Sequence, residues 1–221
     1  MRWSTEMLSD TSIIFDLDGV LLDSESDLSW LYQALEKTLR KMDVPITEKY
    51  LNLIHSKNVH RLPDLTSSFD MDFKKLWEIR NQYYIDEKLA AMENGTIKPF
   101  EDVKELFRLH GLYELGVLSN SPQIVVERFI SLYNFDGLFS IAIGRGNDYD
   151  DIKLMKPHHF MMSKLREQTT NTKFIYIGDL ETDRLFAKQN NMNFMYLIRG
   201  GKINNYKMSY NSLSEVVQAL I

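Results

Sequence analysis

The chain has 221 residues, a formal net charge of -5, 44% hydrophobic and 26% charged residues, and no cysteine. That composition fits a globular protein of one large domain, or of one domain with a smaller insert, and the missing cysteines exclude disulfides, thiol nucleophiles and cysteine-ligated zinc or iron–sulfur centres. The acidic balance leaves no basic surplus for a nucleic-acid partner; the apolar runs are strand-sized, so no membrane span is expected, and the first residues lack the apolar stretch of a secretory signal, so a cytoplasmic location is expected.

Ser12 to Asp18 is a short apolar run ending in carboxylates and glycine, and it reads as a buried strand. Leu28, Leu31, Leu35, Leu39 and Met42 recur at helical spacing, so Glu25 to Met42 is predicted helical. Thr47 caps a second, shorter helix to Ile54. A polar stretch from His55 to Arg61 follows, interrupted by Pro63, and an aromatic-rich helix is expected from Met71 to Glu93, stopped by Asn94-Gly95. Beyond Gly95, helices are expected at Glu101–His110, Pro122–Tyr133, Pro157–Gln168, Leu180–Gln189 and Ser212–Ile221. They alternate with strands at Tyr113–Leu118, Phe139–Ile143, Lys173–Ile177 and Asn193–Ile198. Such alternation predicts an α/β fold: a Rossmann-like parallel sheet core, residues 1–23 and 96–221, with an inserted α-helical cap domain, residues 24–95.

Four segments carry candidate chemistry, each in a loop after a predicted strand, where open α/β sheets bind ligands. Asp16-Leu-Asp18-Gly offers two carboxylates two residues apart, suited to a nucleophile and a general acid/base, or else to a metal-binding turn. Ser119-Asn120, just before a helix, offers donors to an anion, or an ordinary helix cap. Lys156, at the start of a predicted helix, is a point charge able to neutralise phosphoryl oxygens, or a surface lysine; its neighbour Lys153 reads as surface. Gly178-Asp179-x-x-x-Asp183 places two acids after a strand. Asp179 is expected to ligate Mg2+ and Asp183 to support it at one remove, unless both merely cap a helix.

Asp16-x-Asp18-Gly, Ser119-Asn120, Lys156-Pro157 and Gly178-Asp179-x-x-x-Asp183 together resemble the four motifs of the haloacid-dehalogenase-like hydrolases. Phe15 to Ser24 resembles the subgroup of phosphoglycolate phosphatase and β-phosphoglucomutase, whereas the insert resembles that subgroup's cap only in length and helicity. The resemblance implies a phosphatase that forms an aspartyl-phosphate at Asp16, with Asp18 protonating the leaving alcohol and then deprotonating the attacking water. It implies that Ser119, Asn120 and Lys156 hold the phosphoryl oxygens. It implies Mg2+ held by Asp16, Asp179 and the backbone carbonyl of Asp18, with Asp183 behind them. The second aspartate, Asp18, argues against dehalogenation, and the absence of lysine-threonine after Asp16 argues against an ion pump.

The resemblance further implies that the cap selects the substrate, a small phosphorylated metabolite. His55 and Arg61, in the polar stretch of the insert, are candidate substrate-binding residues, or members of a solvated loop. Two other readings stand beside the phosphatase: a phosphosugar mutase using the same Asp16 and Asp18, and a non-catalytic binding protein on the same core.

Overall fold

The computed structural model describes residues 10–61, 72–200 and 208–221, and of residues 59–61 the backbone alone. Pro63 and Met71 lie outside the described residues. The chain divides into two compact units: Met1–Glu25, Lys98–Gly146 and Ile152–Ile221 form one, and Ser26–Ile97 with Asn147–Asp151 form the other. No helix among the described residues is long and apolar enough to cross a membrane.

The first unit is built on a six-stranded parallel sheet. β1 (Thr11–Phe15) is buried at every residue, as a central strand covered on both faces must be. β2 (Leu22–Asp23) and β3 (Lys98–Pro99) pair antiparallel and stand apart from the main sheet. β4 (Glu114–Pro122), β5 (Ile141–Arg145), β6 (Lys173–Gly178), β7 (Asn193–Leu197) and β8 (Ser209–Tyr210) complete the sheet in the order β5-β4-β1-β6-β7-β8. The chain therefore runs outward from β1 on one side, then crosses back to build the other. β1 sits at that switch point, where ligands bind beyond the carboxyl ends of the strands.

Register fixes what meets there. Phe15 is level with Val117 of β4 and with Ile177 of β6. Asp16, Ser119 and Asp179 follow these three residues directly or two on, so all leave the sheet at one edge. Ile14, Leu118, Ile143, Phe174 and Tyr176 form a buried cluster with Met161 and Leu165 of helix Phe160–Gln168 and with Phe186 of helix Glu181–Gln189. At roughly 1.5–3 kcal/mol for each fully buried large side chain, that layer holds the edge rigid.

Several boundaries differ from the sequence reading. The helix expected at Glu101–His110 is present as a 3-10 helix over Glu101–Leu109, with Val103, Leu106 and Leu109 buried. A spacing of three aligns them on one face at three residues per turn. The helix predicted from Pro157 starts at Phe160, and the strand predicted from Phe139 starts at Ile141. Neither β2, β3 nor β8 is foreseen by periodicity, because two residues carry none.

The second unit is helical. Helices Ser29–Lys41, Glu48–Ile54 and Phe73–Glu93 bury Trp30, Leu31, Leu35, Ile54, Leu76 and Trp77. Thr47 and Asp72 cap the second and third by accepting from Tyr50 N and Lys74 N. Asn147–Asp151 joins this unit from far along the chain: its Asn147 carbonyl accepts from Trp77 Nε1 at 3.2 Å and from Asn81 Nδ2 at 3.3 Å, and Tyr149 packs on Phe73.

Candidate active site

Asp16 follows β1 directly, its backbone N–H still donating to Ile177 O as part of the sheet. Its side chain is 7% exposed, and Oδ1 accepts from Leu17 N at 2.8 Å and from Lys156 Nζ at 2.9 Å. The chain then turns sharply: Leu21 and Leu22 donate back to Leu17 O, and Gly19 takes φ +75°. A Cβ at Gly19 would lie 2.4 Å from Asp179 Oδ2, so the turn needs glycine for conformation and for space.

Asp18, two residues beyond Asp16, does not share the lysine. Its Oδ1 accepts from Ser24 Oγ and its Oδ2 from Ser121 Oγ, both at 2.7 Å. Ser121 also takes part in a second contact: its backbone N–H donates to Ser119 Oγ at 3.1 Å. Ser119 is buried within β4, three residues before its end. Asn120 is turned toward Lys156, with Oδ1 accepting from Lys156 N at 2.7 Å and Nδ2 donating to Lys156 O at 3.3 Å. Both ends of that amide are thereby engaged with the lysine backbone.

Lys156 is the hub. Besides Asp16, Nζ reaches Asp183 Oδ1 at 2.7 Å and the Tyr176 hydroxyl at 2.7 Å, all buried. Burial alone would lower its pKa, but the carboxylates of Asp16 and Asp183 outweigh burial and hold it well above the usual lysine range. It is a fixed positive charge. Burial likewise pushes the Tyr176 phenol well up, so that group stays neutral. Lys153 is exposed.

Asp179 completes the cluster. Its Oδ1 is buried with no hydrogen-bond partner. One carboxylate oxygen each from Asp16, Asp179 and Asp183 lie within 4.8 Å of one another. Burial pushes the Asp179 carboxyl up to about 8, and the charges of Asp16, Asp183 and Glu25 push the same way. Burial also pushes Asp16 up to about 7; Lys156 opposes, while Asp183 and Asp18 add to the rise. When all three are ionised, these carboxylates face one ammonium, two positive charges short of balance, with one buried oxygen unsatisfied. A hard divalent cation with oxygen ligands, such as Mg2+, fits that set in charge and in donor type. Asp183 is the least available of the three, since Oδ1 is held by Lys156 and Oδ2 accepts from Leu180 N at 3.1 Å.

The remaining two candidates belong to the helical unit. His55 Nδ1 accepts from Lys57 N at 3.2 Å, and its ring stands edge-on to Tyr32. Arg61 ends the 3-10 turn Ser56–Arg61, and its side chain lies outside the described residues. Three participants are given no role by motif reading: Tyr176, Ser121, and Ser24 at the end of the Phe15–Ser24 stretch. A tyrosine in a strand buried on both faces is a findable signal, because its hydroxyl needs a partner. The serines carry no such signal in sequence.

The family model for "Haloacid dehalogenase-like hydrolase" matches residues 13–197. A phosphoglycolate phosphatase from Colwellia psychrerythraea is 26% identical over 85% of this chain and 84% of its own length. Another from Xylella fastidiosa is 24% identical over 86% of this chain and 80% of its own. Among solved structures, a HAD-superfamily hydrolase of subfamily IA from Geobacter sulfurreducens superposes with TM-score 0.64 at 20% identity, covering 96% of both chains. CbbY from Rhodobacter sphaeroides, crystallised with phosphate, gives TM-score 0.65 at 14% identity, covering 93% of this chain and 95% of its own. At those identities the structural likeness establishes the fold.

Proposed function

The chain belongs to the haloacid dehalogenase-like hydrolase family, and on that premise we propose that it hydrolyses a small phosphomonoester through an aspartyl-phosphate on Asp16. The observation that carries this reading is the buried Asp16 carboxylate, fixed at 2.9 Å from the Lys156 ammonium at the switch-point edge, with Asp18 two residues on. The names of the curated relatives, phosphoglycolate phosphatases, support it.

In the first step an Asp16 oxygen attacks phosphorus, the bond from phosphorus to the leaving oxygen breaks, and Asp18 gives that oxygen its proton. In the second, Asp18 takes a proton from water, the water oxygen attacks phosphorus, and the bond to Asp16 breaks, returning the carboxylate and releasing inorganic phosphate. Lys156 places its fixed charge beside the oxygens of the transferring group, and Ser119 offers its hydroxyl to them. Asn120 contributes by holding the Lys156 backbone. Mg2+ would be held by Asp16, Asp179 and the Asp18 carbonyl, with Asp183 behind, and when bound it offsets charge that otherwise repels a dianionic substrate. Ser24 and Ser121 keep Asp18 turned so that its proton moves along one direction. Substrate choice is assigned to the helical unit, with His55 and Arg61 as the residues to vary.

The test is phosphate release from a panel of small phosphomonoesters, with Mg2+ or chelator, beside Asp16→Asn. The reading expects Mg2+-dependent release that Asp16→Asn abolishes, together with an acid-stable, hydroxylamine-labile phosphoenzyme. Release that persists in Asp16→Asn overturns it. Transfer from a bisphosphate to a sugar phosphate, without net release, would establish the mutase instead.

A further inference from the structure

Tyr176 has no part in any motif, yet its hydroxyl lies in the hydrogen-bond network beneath Asp16. It occupies β6 two residues before Gly178 and is 0% exposed. Its ring packs edge-on to Phe186 and parallel to Phe194, with centroids 5.7 and 6.5 Å away. Its hydroxyl stands 2.7 Å from Leu118 O and 2.7 Å from Lys156 Nζ. A phenol has one proton, and an ammonium accepts nothing. The tyrosine proton must therefore go to Leu118 O, which leaves the phenol oxygen facing Lys156 as an acceptor.

The lysine side of the arrangement is equally constrained. An ammonium has three protons, set tetrahedrally. The close acceptors are Asp183 Oδ1 at 2.7 Å, the Tyr176 oxygen at 2.7 Å and Asp16 Oδ1 at 2.9 Å; Leu118 O is farther, at 3.4 Å. Two protons are anchored on the inner side by Asp183 and Tyr176, so the third is directed at Asp16. Asp183 alone would leave the ammonium free to swing about one contact. Tyr176 is the second fixed point, itself tied to β4 through Leu118, one residue before Ser119.

We propose that Tyr176 is a positioning residue for the reaction: its hydroxyl orients the Lys156 ammonium so that one N–H faces Asp16 and the oxygens of a phosphoryl group attached there. This rests on the function proposed above for the catalytic part, but the positioning itself does not require turnover. Tyr176→Phe is the informative variant, because it keeps the ring against Phe186 and Phe194 and deletes only the hydroxyl, which accepts from Lys156 and donates to Leu118 O.

The first measurement is 1H–15N NMR of lysine ammonium groups in the 15N-labelled full chain. Wild type is expected to show a Lys156 signal protected from solvent exchange, identified by its loss in Lys156→Met. In Tyr176→Phe that signal should exchange at least about tenfold faster or vanish. The second is steady-state phosphate release with Mg2+. Tyr176→Phe is expected to lower kcat about five- to tenfold with KM changed less than about twofold, and to have no further effect in the Lys156→Met background. A Lys156 signal that exchanges like a surface lysine in wild type overturns the proposal without any variant. So does an unchanged signal in folded Tyr176→Phe, or an equal kcat loss in both backgrounds, which would mark a purely structural tyrosine. If no substrate is turned over while the NMR result holds, the phosphatase reading fails and the positioning stands.

Discussion

Replacing Lys156 with methionine tests the charge balance of the site most directly. Methionine keeps much of the buried volume, so the change is mainly the loss of one positive charge between Asp16 at 2.9 Å and Asp183 at 2.7 Å. Removing one partner of a buried ion pair typically costs about 3–5 kcal/mol, because the other charge stays buried without compensation. For a chain of this length that corresponds to a fall in the thermal midpoint of roughly 6–20 °C. The loss must depend on pH, with a definite sign. Asp16 is already held near 7 with the lysine in place, against ~3.9 for an unfolded aspartate, and losing the ammonium raises it further. A carboxyl whose folded pKa is raised carries no penalty below the unfolded value, and a growing one as pH rises toward the folded value. Parent and variant carry the same Asp16 penalty until pH approaches about 7, where the parent carboxyl ionises and the variant's does not, so the deficit of Lys156→Met in metal-free protein should be small at pH 4.5 and grow above pH 7, by about 1.4 kcal/mol per pH unit. Adding Asp183→Asn to Lys156→Met removes one of the stranded carboxylates and should recover about 1–2 kcal/mol at pH 8. Denaturant and thermal unfolding at the two pH values make the measurement. A deficit under about 1 kcal/mol at pH 8, or an equal deficit at both pH values, refutes the assignment of Lys156 as the counter-charge.

Metal binding has its own pH signature. Asp16 near 7 and Asp179 near 8 hold protons that an incoming cation must displace, so Mg2+ affinity should rise at least about tenfold from pH 6 to pH 8, with proton release visible by calorimetry in two buffers; a flat affinity contradicts it. Gly19→Ala forces φ +75° on a residue with a Cβ and drives that carbon into Asp179 Oδ2. It should cost about 1–2 kcal/mol from the backbone alone and abolish the rise in thermal midpoint that Mg2+ confers on the parent protein. Ser24→Ala with Ser121→Ala removes both hydroxyls on Asp18. Turnover should drop about tenfold with little change in KM, which steady-state kinetics would show; an unchanged kcat removes these serines from the reaction.

The α/β class was legible in the sequence because its causes are local. Apolar runs of strand length ending in carboxylates or glycine, alternating with amphipathic stretches, can bury their surfaces in few ways other than a parallel sheet covered on both sides. The spacing of Val103, Leu106 and Leu109 was present too, and its step of three suits the 3-10 form that the expected helix takes. Asp16, Ser119 and Asp179 could each be read as a residue type at a strand end, and Lys156 as one opening a helix. Their mutual distances could not, since they depend on which strands become neighbours and in what register. Pairing β1 with both β4 and β6, level at Phe15, Val117 and Ile177, is what brings positions 16, 119 and 179 to one edge. Tertiary structure alone decided that the Asn120 amide spends both its ends on the Lys156 backbone, that Ser24 and Ser121 converge on Asp18, and that Asn147–Asp151 joins the helical unit. It also decided that Tyr176 on β6 reaches Leu118 of β4 and Lys156 together. The sequence by itself determined periodicity, charge and the inventory of reactive groups, because these are properties of each residue and its near neighbours. Partnership between distant groups was set only by the folded chain, because a buried donor or acceptor takes whatever partner packing brings within about 3 Å of it.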